Sequence, residues 1–338
     1  MKPILLIGGY GDTGRKTAQQ LRLRHPDVPL AIAGRSLAAA QTFADELGNA
    51  VAYTADISGN LPDLGLPHGE FSAMGVFLMD STGDALRFAG DKGIPYVAVT
   101  GGAFEMGLQF ALGMHAMDRC SVTIASNWFC GGALMTILAL CRELTRVEAV
   151  TAGIVIDRNA SEAGPATRAD FERILSTCTS MPLRSKGVYK WIVGDAGKVA
   201  YTGTGERKLE GTPAVSVDAV TIGAVTGARD VSVFETWGDS LSWIEERDPS
   251  DEIVIEARGT DQDGNHVVLR QEVVASRVSA PLTAITIAML LDRGAGLSSD
   301  APLAPGIYTA ERALDPGEAV AWMKEVGVRF SPVSVRSA

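Results

Sequence analysis

Side chains that build metal centres and nucleophilic triads are scarce in this chain. Its 338 residues include four cysteines and four histidines. Cys120, Cys130, Cys141 and Cys178 form no C-x-x-C pair, and no histidine stands at metal-ligand spacing from them. His25, His68, His115 and His266 are scattered, with no serine or cysteine partner in view. A zinc site and a hydrolytic triad are therefore unsupported. The cysteines are expected to be reduced thiols in a cytoplasmic protein, with Cys130 set apart by its glycine-rich turn. Long apolar runs are missing too. The stretches 131–141 and 280–291 are too short to span a bilayer and read as buried helices. The first residues run straight into a strand pattern without a charged n-region or cleavage site, so no targeting segment is expected. Positive charge is in deficit: 30 Lys and Arg face 40 Asp and Glu, a net charge of −10 with no basic cluster. That balance argues against nucleic acid or an anionic membrane as a partner and leaves a small-molecule substrate. Tyr-x-x-x-Lys is absent as well, which removes the short-chain dehydrogenase mechanism. Tyr189 is followed four residues on by Val193, Tyr201 by Gly205 and Tyr308 by Arg312.

Glycine, by contrast, is concentrated where it carries meaning. The apolar segment 2–7 leads into Gly9-Tyr10-Gly11-Asp12-Thr13-Gly14, a G-x-G-x-x-G placed between a strand and a helix. Gly9 is expected to permit the tight turn, Gly11 to let the backbone approach a pyrophosphate, and Gly14 to let the helix pack on the strand. A pyrophosphate would then meet the N–H groups and positive dipole end of the helix. Gly14, Ala18 and Leu21 share one helical face, and Arg15, Lys16, Gln19 and Gln20 occupy the others. The chain is expected to bind a dinucleotide.

The end of the second strand selects which one. An NAD-type site carries an acid there that accepts from the ribose hydroxyls. This chain has Gly34-Arg35-Ser36, and its next acid is Asp45, inside the following helix. Arg35 would attract a 2′-phosphate and the Ser36 hydroxyl would donate to it. One charge-assisted contact of this kind is worth roughly 1.5–3 kcal/mol, about a 10- to 100-fold preference for NADP(H).

The length suits two domains. Strands are expected at 3–8, 28–33, 50–54, 74–79, 95–99 and 121–126, with helices at 13–24, 36–47 and 82–92. Such alternation implies a parallel sheet covered on both faces. Ligands bind beyond the carboxyl ends of such strands. Asp56 and Ile57, after the third strand, are therefore placed near an adenine, and Ser81, in Asp80-Ser81-Thr82-Gly83, near a nicotinamide. Ordinary turn and cap roles remain open for Asp56 and Ser81. After Ser126 the pattern changes. A helix at 132–144 precedes β-rich segments at 147–157, 188–194, 198–202, 215–221 and 230–237, interrupted by a helix at 167–178. A hairpin joins 252–258 to 267–274 through Asp263-Gly264. The tail returns to helix at 280–291 and 315–326, with a small strand at 306–308. The predicted class is α/β: a dinucleotide-binding domain from 1–126 and 276–338, with an inserted α+β domain at 127–275 on a mixed, mostly antiparallel sheet.

Four segments give the chain a resemblance to the saccharopine dehydrogenase-like (saccharopine reductase) family. They are 4–14 with Ala33-Gly34-Arg35; Gly93-Ile94-Pro95-Tyr96-Val97-Ala98-Val99-Thr100-Gly101; Gly131-Gly132 opening a helix; and Ala304-Pro305-Gly306-Ile307-Tyr308-Thr309-Ala310-Glu311. The resemblance implies a Rossmann domain completed by the tail, an inserted substrate domain, and a homodimer formed largely through the central sheet. It also implies nicotinamide-dependent formation or cleavage of secondary amines through an imine, on amino acids or polyamine precursors. Two departures accompany it. Ala98 and Gly102 stand where members often carry acids, and Cys130 where a proline commonly precedes the glycine.

Hydride transfer to an imine needs a held nicotinamide, excluded water and a proton for the nitrogen. Lys186 and Tyr189 are the candidate acid or orienting groups, and Arg168 is the candidate anchor for a substrate carboxylate. Surface roles remain open for all three. Asn127 and Trp128, at the crossover between domains, are candidate cleft residues, and interdomain packing is the alternative for Trp128. The expected activity is an NADP(H)-dependent reductase or dehydrogenase acting on C=N or CH–NH bonds. Two alternatives stay open: a homospermidine-synthase-like transferase that oxidises and re-reduces its bound cofactor, and a non-enzymatic NADP(H) sensor.

Overall fold

The computed structural model describes residues 1–58, 61–66, 70–99, 103–159, 165–178, 180–298 and 301–338. Thr100 and Gly101 of the family-like second segment, and Gly102 after it, lie outside them. So does His68.

The first 126 residues alternate strand and helix. They run β1 (Ile4–Ile7), α1 (Asp12–Arg24), β2 (Leu30–Gly34), α2 (Leu37–Leu47), β3 (Ala50–Thr54), β4 (Ala73–Val76), α3 (Asp84–Lys92), β5 (Tyr96–Ala98), α4 (Ala103–Gly113) and β6 (Ser121–Ile124). Every residue of β1, β2, β4, β5 and β6 is buried; β1, β2, β4 and β5 carry no polar side chain apart from the Tyr96 hydroxyl, while β6 also buries Ser121 and Thr123. Leu5, Ile7, Met74, Val76 and Ile124 share a core with Ala85, Phe88 and Ala89 of α3.

The central residues form α5 (Gly132–Cys141), β7 (Arg146–Asp157), α6 (Pro165–Thr177), β8 (Ser180–Ser185), β9 (Val188–Val193), β10 (Val199–Thr202) and β11 (Lys208–Pro213). Then follow α7 (Asp218–Thr226), β12 (Asp230–Gly238), α8 (Leu241–Ile244), β13 (Ser250–Thr260) and β14 (His266–Ser276). The tail adds α9 (Leu282–Ala295), β15 (Gly306–Tyr308), α10 (Ala310–Ala313), α11 (Pro316–Glu325), β16 (Arg329–Phe330) and β17 (Ser334–Ser337).

Two sheets result. The first is parallel in every pairing and has the order β3-β2-β1-β4-β5-β6-β15. Strand order reverses between β1 and β4, the switch point beside which α/β sheets bind ligands. Gly75 of β4 is in contact range of Leu291 of α9, so a tail helix covers this sheet. The second sheet runs β10-β11-β12-β7-β13-β14-β16, antiparallel except for the β12–β7 pair. Its longest pairing joins β13 to β14 from Ser250↔Ser276 to Thr260↔His266. Asp261 closes that hairpin, accepting from the N–H groups of Asp263 and Asn265, and Gly264 takes φ +84°.

Contacts divide the chain into two units. One holds Met1–Ser126, α6 up to Glu172 and Thr283–Leu314; the other holds Asn127 onward, α6 from Arg173 and Asp315–Ala338. The sequence reading keeps 276–338 together, whereas here the tail divides after Leu314. Its last strands, β16 and β17, hydrogen-bond to β14 of the second sheet.

The expected strand at 215–221 is helix from Asp218. Valine and threonine suggested a strand, but Asp218, Ala219, Ile222 and Gly223 bury at helical spacing. The strand lies earlier, as β11. Further elements were not foreseen: α4, α8, α10, β16, β17, and β8, which pairs with β9. Among the described residues no helix is long and apolar enough to cross a membrane, and no cluster of His, Cys, Asp and Glu has metal-ligand geometry.

Candidate functional site

The turn from β1 to α1 is tied down by its own backbone. Gly8 donates to the Ala33 carbonyl (2.8 Å), Gly9 to Leu6 (3.1 Å) and Gly11 to Gly8 (2.9 Å). The left-handed residue is Gly8, at φ +80°, and not Gly9 as the motif suggested. Gly9 is required for space instead: a Cβ there would stand 2.8 Å from both the Leu6 carbonyl oxygen and Leu6 Cβ. At Gly14 a Cβ would stand 2.6 Å from the Gly8 oxygen and 2.7 Å from Gly9 Cα, so α1 packs directly on the turn. Gly11 is exposed, with extended backbone and no side-chain cap on α1. A cradle of this shape, with helix-terminal N–H groups facing out, suits a pyrophosphate. Asp12, in the first turn, has its charge balanced by Lys16 at 3.0 Å. Thr13 follows it in the same turn. Arg15 lies over the Phe43 ring (4.0 Å) and pairs with Glu46 (2.7 Å), linking α1 to α2.

Sequence reasoning had given the side chain of Tyr10 no separate role. Its ring lies over Gly34 at the end of β2, and its hydroxyl accepts from the Ser36 N–H at 3.1 Å. Arg35 is exposed. Ser36 caps α2, its hydroxyl oxygen accepting from the Ala39 N–H at 3.3 Å. After β3, Asp56 accepts from the Ser58 N–H (2.9 Å) and hydroxyl (2.8 Å). These bonds, and more weakly the nearby Arg35 charge, hold its carboxyl below the usual range. Ile57 is buried beside it, and its carbonyl accepts from the Thr82 hydroxyl at 2.9 Å. Ser81 is exposed after β4. Its neighbour Asp80 is buried and accepts from the Leu86 N–H at 3.0 Å, so it holds the start of α3. Burial raises the Asp80 carboxyl despite those N–H donors. Gly9 to Gly14, Arg35, Ser36, Asp56, Ile57 and Ser81 therefore stand along one edge, at the carboxyl ends of the adjacent strands β4, β1, β2 and β3.

The candidate catalytic residues lie on the β8–β9 hairpin of one unit and on the part of α6 that belongs to the other. Lys186 (φ +52°) and Gly187 (φ +82°) form the β8–β9 turn, where the Lys186 N–H donates to Asp230 at 2.9 Å. Tyr189 donates its hydroxyl proton to the Val220 carbonyl at 3.0 Å, and the Arg184 guanidinium lies over its ring. Arg168 is exposed on α6.

Past β6 the chain makes a strained strap. Phe129 (φ +54°), Cys130 (φ +56°) and Gly131 (φ +103°) are left-handed in succession, which costs about 1 kcal/mol or more at each non-glycine. Proline, fixed at φ of about −65°, could not take position 130 in this conformation. Buried Asp218 accepts from the Trp128 N–H at 2.9 Å and so ties the strap to α7. Burial, outweighing the hydrogen bonds it accepts, pushes the Asp218 carboxyl up to about 6. Burial also raises the neighbouring Glu235. Burial pushes the Cys130 and Cys141 thiols to about 12 and Cys120 to about 11, so these three are un-ionised at neutral pH.

No protein-family model matches the sequence, and no curated protein matches it. Solved structures do match its fold. Apo saccharopine dehydrogenase (L-Glu forming) from Saccharomyces cerevisiae aligns with a TM-score of 0.67 at 12% identity, over 99% of this chain and 100% of that one. A myo-inositol dehydrogenase from Corynebacterium glutamicum aligns with a TM-score of 0.45 at 14% identity, over 96% and 88%. Levoglucosan dehydrogenase in complex with NADH gives 0.47 at 10%, over 98% and 99%. With its parallel Rossmann-like sheet and second mixed sheet, the chain has a saccharopine dehydrogenase-like fold.

Proposed function

We propose that this protein is an NADP(H)-dependent oxidoreductase. It moves a hydride to or from a C=N or CH–NH bond of a small amino-acid- or polyamine-like metabolite. The observation that carries the reading is the Gly8–Gly14 turn at the switch point, beside a second strand that ends in Gly34-Arg35-Ser36. The residues present fit the nucleotide: glycines at 9 and 14 let the turn and α1 close directly on β1, and the exposed Gly11 leaves the start of α1 without a side-chain cap. The N–H groups at the start of α1 would hold the pyrophosphate, Arg35 and the Ser36 hydroxyl the 2′-phosphate, and Ile57 the adenine face. The nicotinamide would supply the hydride. The chain's own contribution is to orient the ring beyond β4, near Ser81, and to keep water away.

Titration of NADPH and NADH against wild type and Arg35→Ala tests this. Wild type is expected to prefer NADPH by about 10-fold or more, and the variant to lose that preference. Equal affinity for both nucleotides, untouched by the substitution, would overturn the assignment. Loss of NADPH absorbance with amine and carbonyl pairs then tests the C=N chemistry.

The protein is further proposed to be a homodimer through β9. Among the described residues this strand pairs with β8 alone, and Val188, Trp191 and Val193 are 59%, 61% and 63% exposed. A second β9 laid antiparallel would satisfy the free edge and cover these side chains. Trp191→Glu is expected to shift the mass in light scattering from dimer to monomer; a wild-type monomer at micromolar concentration would refute the dimer.

A further inference from the structure

Tyr10 and Gly34 come from different strand–helix turns and share one volume. A Cβ built on Gly34 would stand 2.5 Å from Tyr10 Cε1, 2.9 Å from Cζ and 2.8 Å from the hydroxyl oxygen. A side chain at position 34 would therefore have to displace the Tyr10 ring, because the strand at Gly34 is held in the sheet. Gly34 is in register with Thr54 of β3, and its carbonyl accepts from the Ala55 N–H at 3.0 Å. Tyr10 is flanked by Gly9 and Gly11, each held by a backbone hydrogen bond, so its Cα is fixed from both sides. The hydroxyl accepts from the Ser36 N–H and keeps its own proton to donate.

We propose that Tyr10 is a specificity-determining residue of the nucleotide site. Its ring excludes an acidic side chain from the end of β2, and its hydroxyl sets the Arg35–Ser36 turn for a 2′-phosphate. The proposal rests on the nucleotide-binding reading above and adds to it a residue and a mechanism. The place where an NAD-type acid would stand is filled from the neighbouring turn. The Ser36 N–H is taken by the Tyr10 hydroxyl oxygen. The end of β2 offers a ligand three donors: the Arg35 guanidinium, the Ser36 hydroxyl proton and the Tyr10 hydroxyl proton. Such a set favours a phosphate, whose oxygens only accept, over a ribose diol, which also brings two donors. The specificity is thus built by exclusion as well as by attraction.

The test is a double-mutant cycle on Tyr10 and Gly34, read by Tm and by NADPH and NADH titration of the full chain. Gly34→Asp alone is expected to lower Tm and to gain no NADH affinity, because ring and carboxylate compete for one volume. Tyr10→Ala combined with Gly34→Asp is expected to recover part of that Tm. It is also expected to bind NADH about 10-fold more tightly than wild type does, with NADPH weakened at least as much. Tyr10→Phe keeps the ring and is expected to weaken NADPH about 3- to 10-fold while leaving NADH within about 2-fold, the loss of one hydroxyl contact. Gly34→Asp that gains NADH in the Tyr10 background at unchanged Tm would overturn the exclusion. Tyr10→Phe that binds both nucleotides as wild type does would overturn the role of the hydroxyl. Wild type that binds neither nucleotide would sink the underlying nucleotide reading, an outcome distinct from both.

Discussion

Gly14→Ala is expected to cost this protein stability and nucleotide binding together. The added methyl would fall 2.6 Å from the Gly8 carbonyl oxygen, 2.7 Å from Gly9 Cα and 3.0 Å from the Gly9 carbonyl carbon. All three are backbone atoms of the turn itself, so no side chain can swing aside. Either α1 moves outward or the turn moves with its bonds to Leu6 and Ala33. Overpacking of this sort costs typically about 1–3 kcal/mol. The larger effect is on ligand. A shift approaching about 1 Å in a positioning element costs on the order of 100-fold, and here the displaced element is the cradle. Gly11→Ala is the control. Its Cβ would stand 3.2 Å from the Gly8 oxygen, and its backbone is one that alanine adopts freely. Gly11→Ala is expected to keep its denaturation midpoint and still weaken NADPH, since the methyl projects from the exposed face of the turn. Urea unfolding and calorimetric titration of both variants would separate the two roles. Equal behaviour of Gly11→Ala and Gly14→Ala would show that neither glycine is there for the reason given.

Asp218→Asn is expected to gain stability relative to wild type as the pH rises. The Asp218 carboxyl is raised by burial from 3.8 to about 6. Between those values the folded protein holds a proton that the unfolded chain has lost. Stability therefore falls as pH rises through that window, and the loss is complete above about pH 6. A tenfold change in proton affinity is worth about 1.36 kcal/mol, so the rise from 3.8 to about 6 makes the full loss roughly 3 kcal/mol. Asparagine keeps an oxygen for the Trp128 N–H and carries no charge to desolvate. The stability of Asp218→Asn minus that of wild type is thus expected to rise by about 2 kcal/mol between about pH 4 and pH 8. Other groups that titrate in this range cancel in the difference. A pH-independent difference in urea unfolding would mean that Asp218 is ionised in the folded protein. Asp218→Asn would also report on the strap, because the same carboxylate orients Trp128 beyond the end of β6.

Contiguous features could be read from the chain alone. The cradle from Gly8 to Gly14 is one local run, and a tight turn followed by a helix start has fixed residue preferences at fixed offsets. The alternation of strand and helix over the first 126 residues announced a parallel sheet, since parallel neighbours need a crossover between them. Asp263-Gly264 between alternating strands announced the longest hairpin of the second sheet. The missing acid at Gly34 was visible for the same reason, as a single position at the end of a strand. Elements at 215–221 were not, because β-branched residues in a helix carry a strand's propensity, and tertiary burial overrides it.

What the sequence by itself determined is the class of fold, the glycine cradle and the basic end of β2, all written in windows of a few residues where backbone sterics decide. Only the tertiary structure decided what meets across distance. It put the left-handed turn on Gly8, because its neighbour Gly9 is held by the Leu6 carbonyl. It laid Tyr10 over a residue 24 positions on and hydrogen-bonded it to Ser36. It tied Trp128 to Asp218 across 90 positions and turned the Tyr189 proton toward Val220. It drew the last strands to β14, away from the sheet that β15 joins. Hydrogen bonds and excluded volume of this kind depend on which elements pack together, and no local pattern of residue types encodes that.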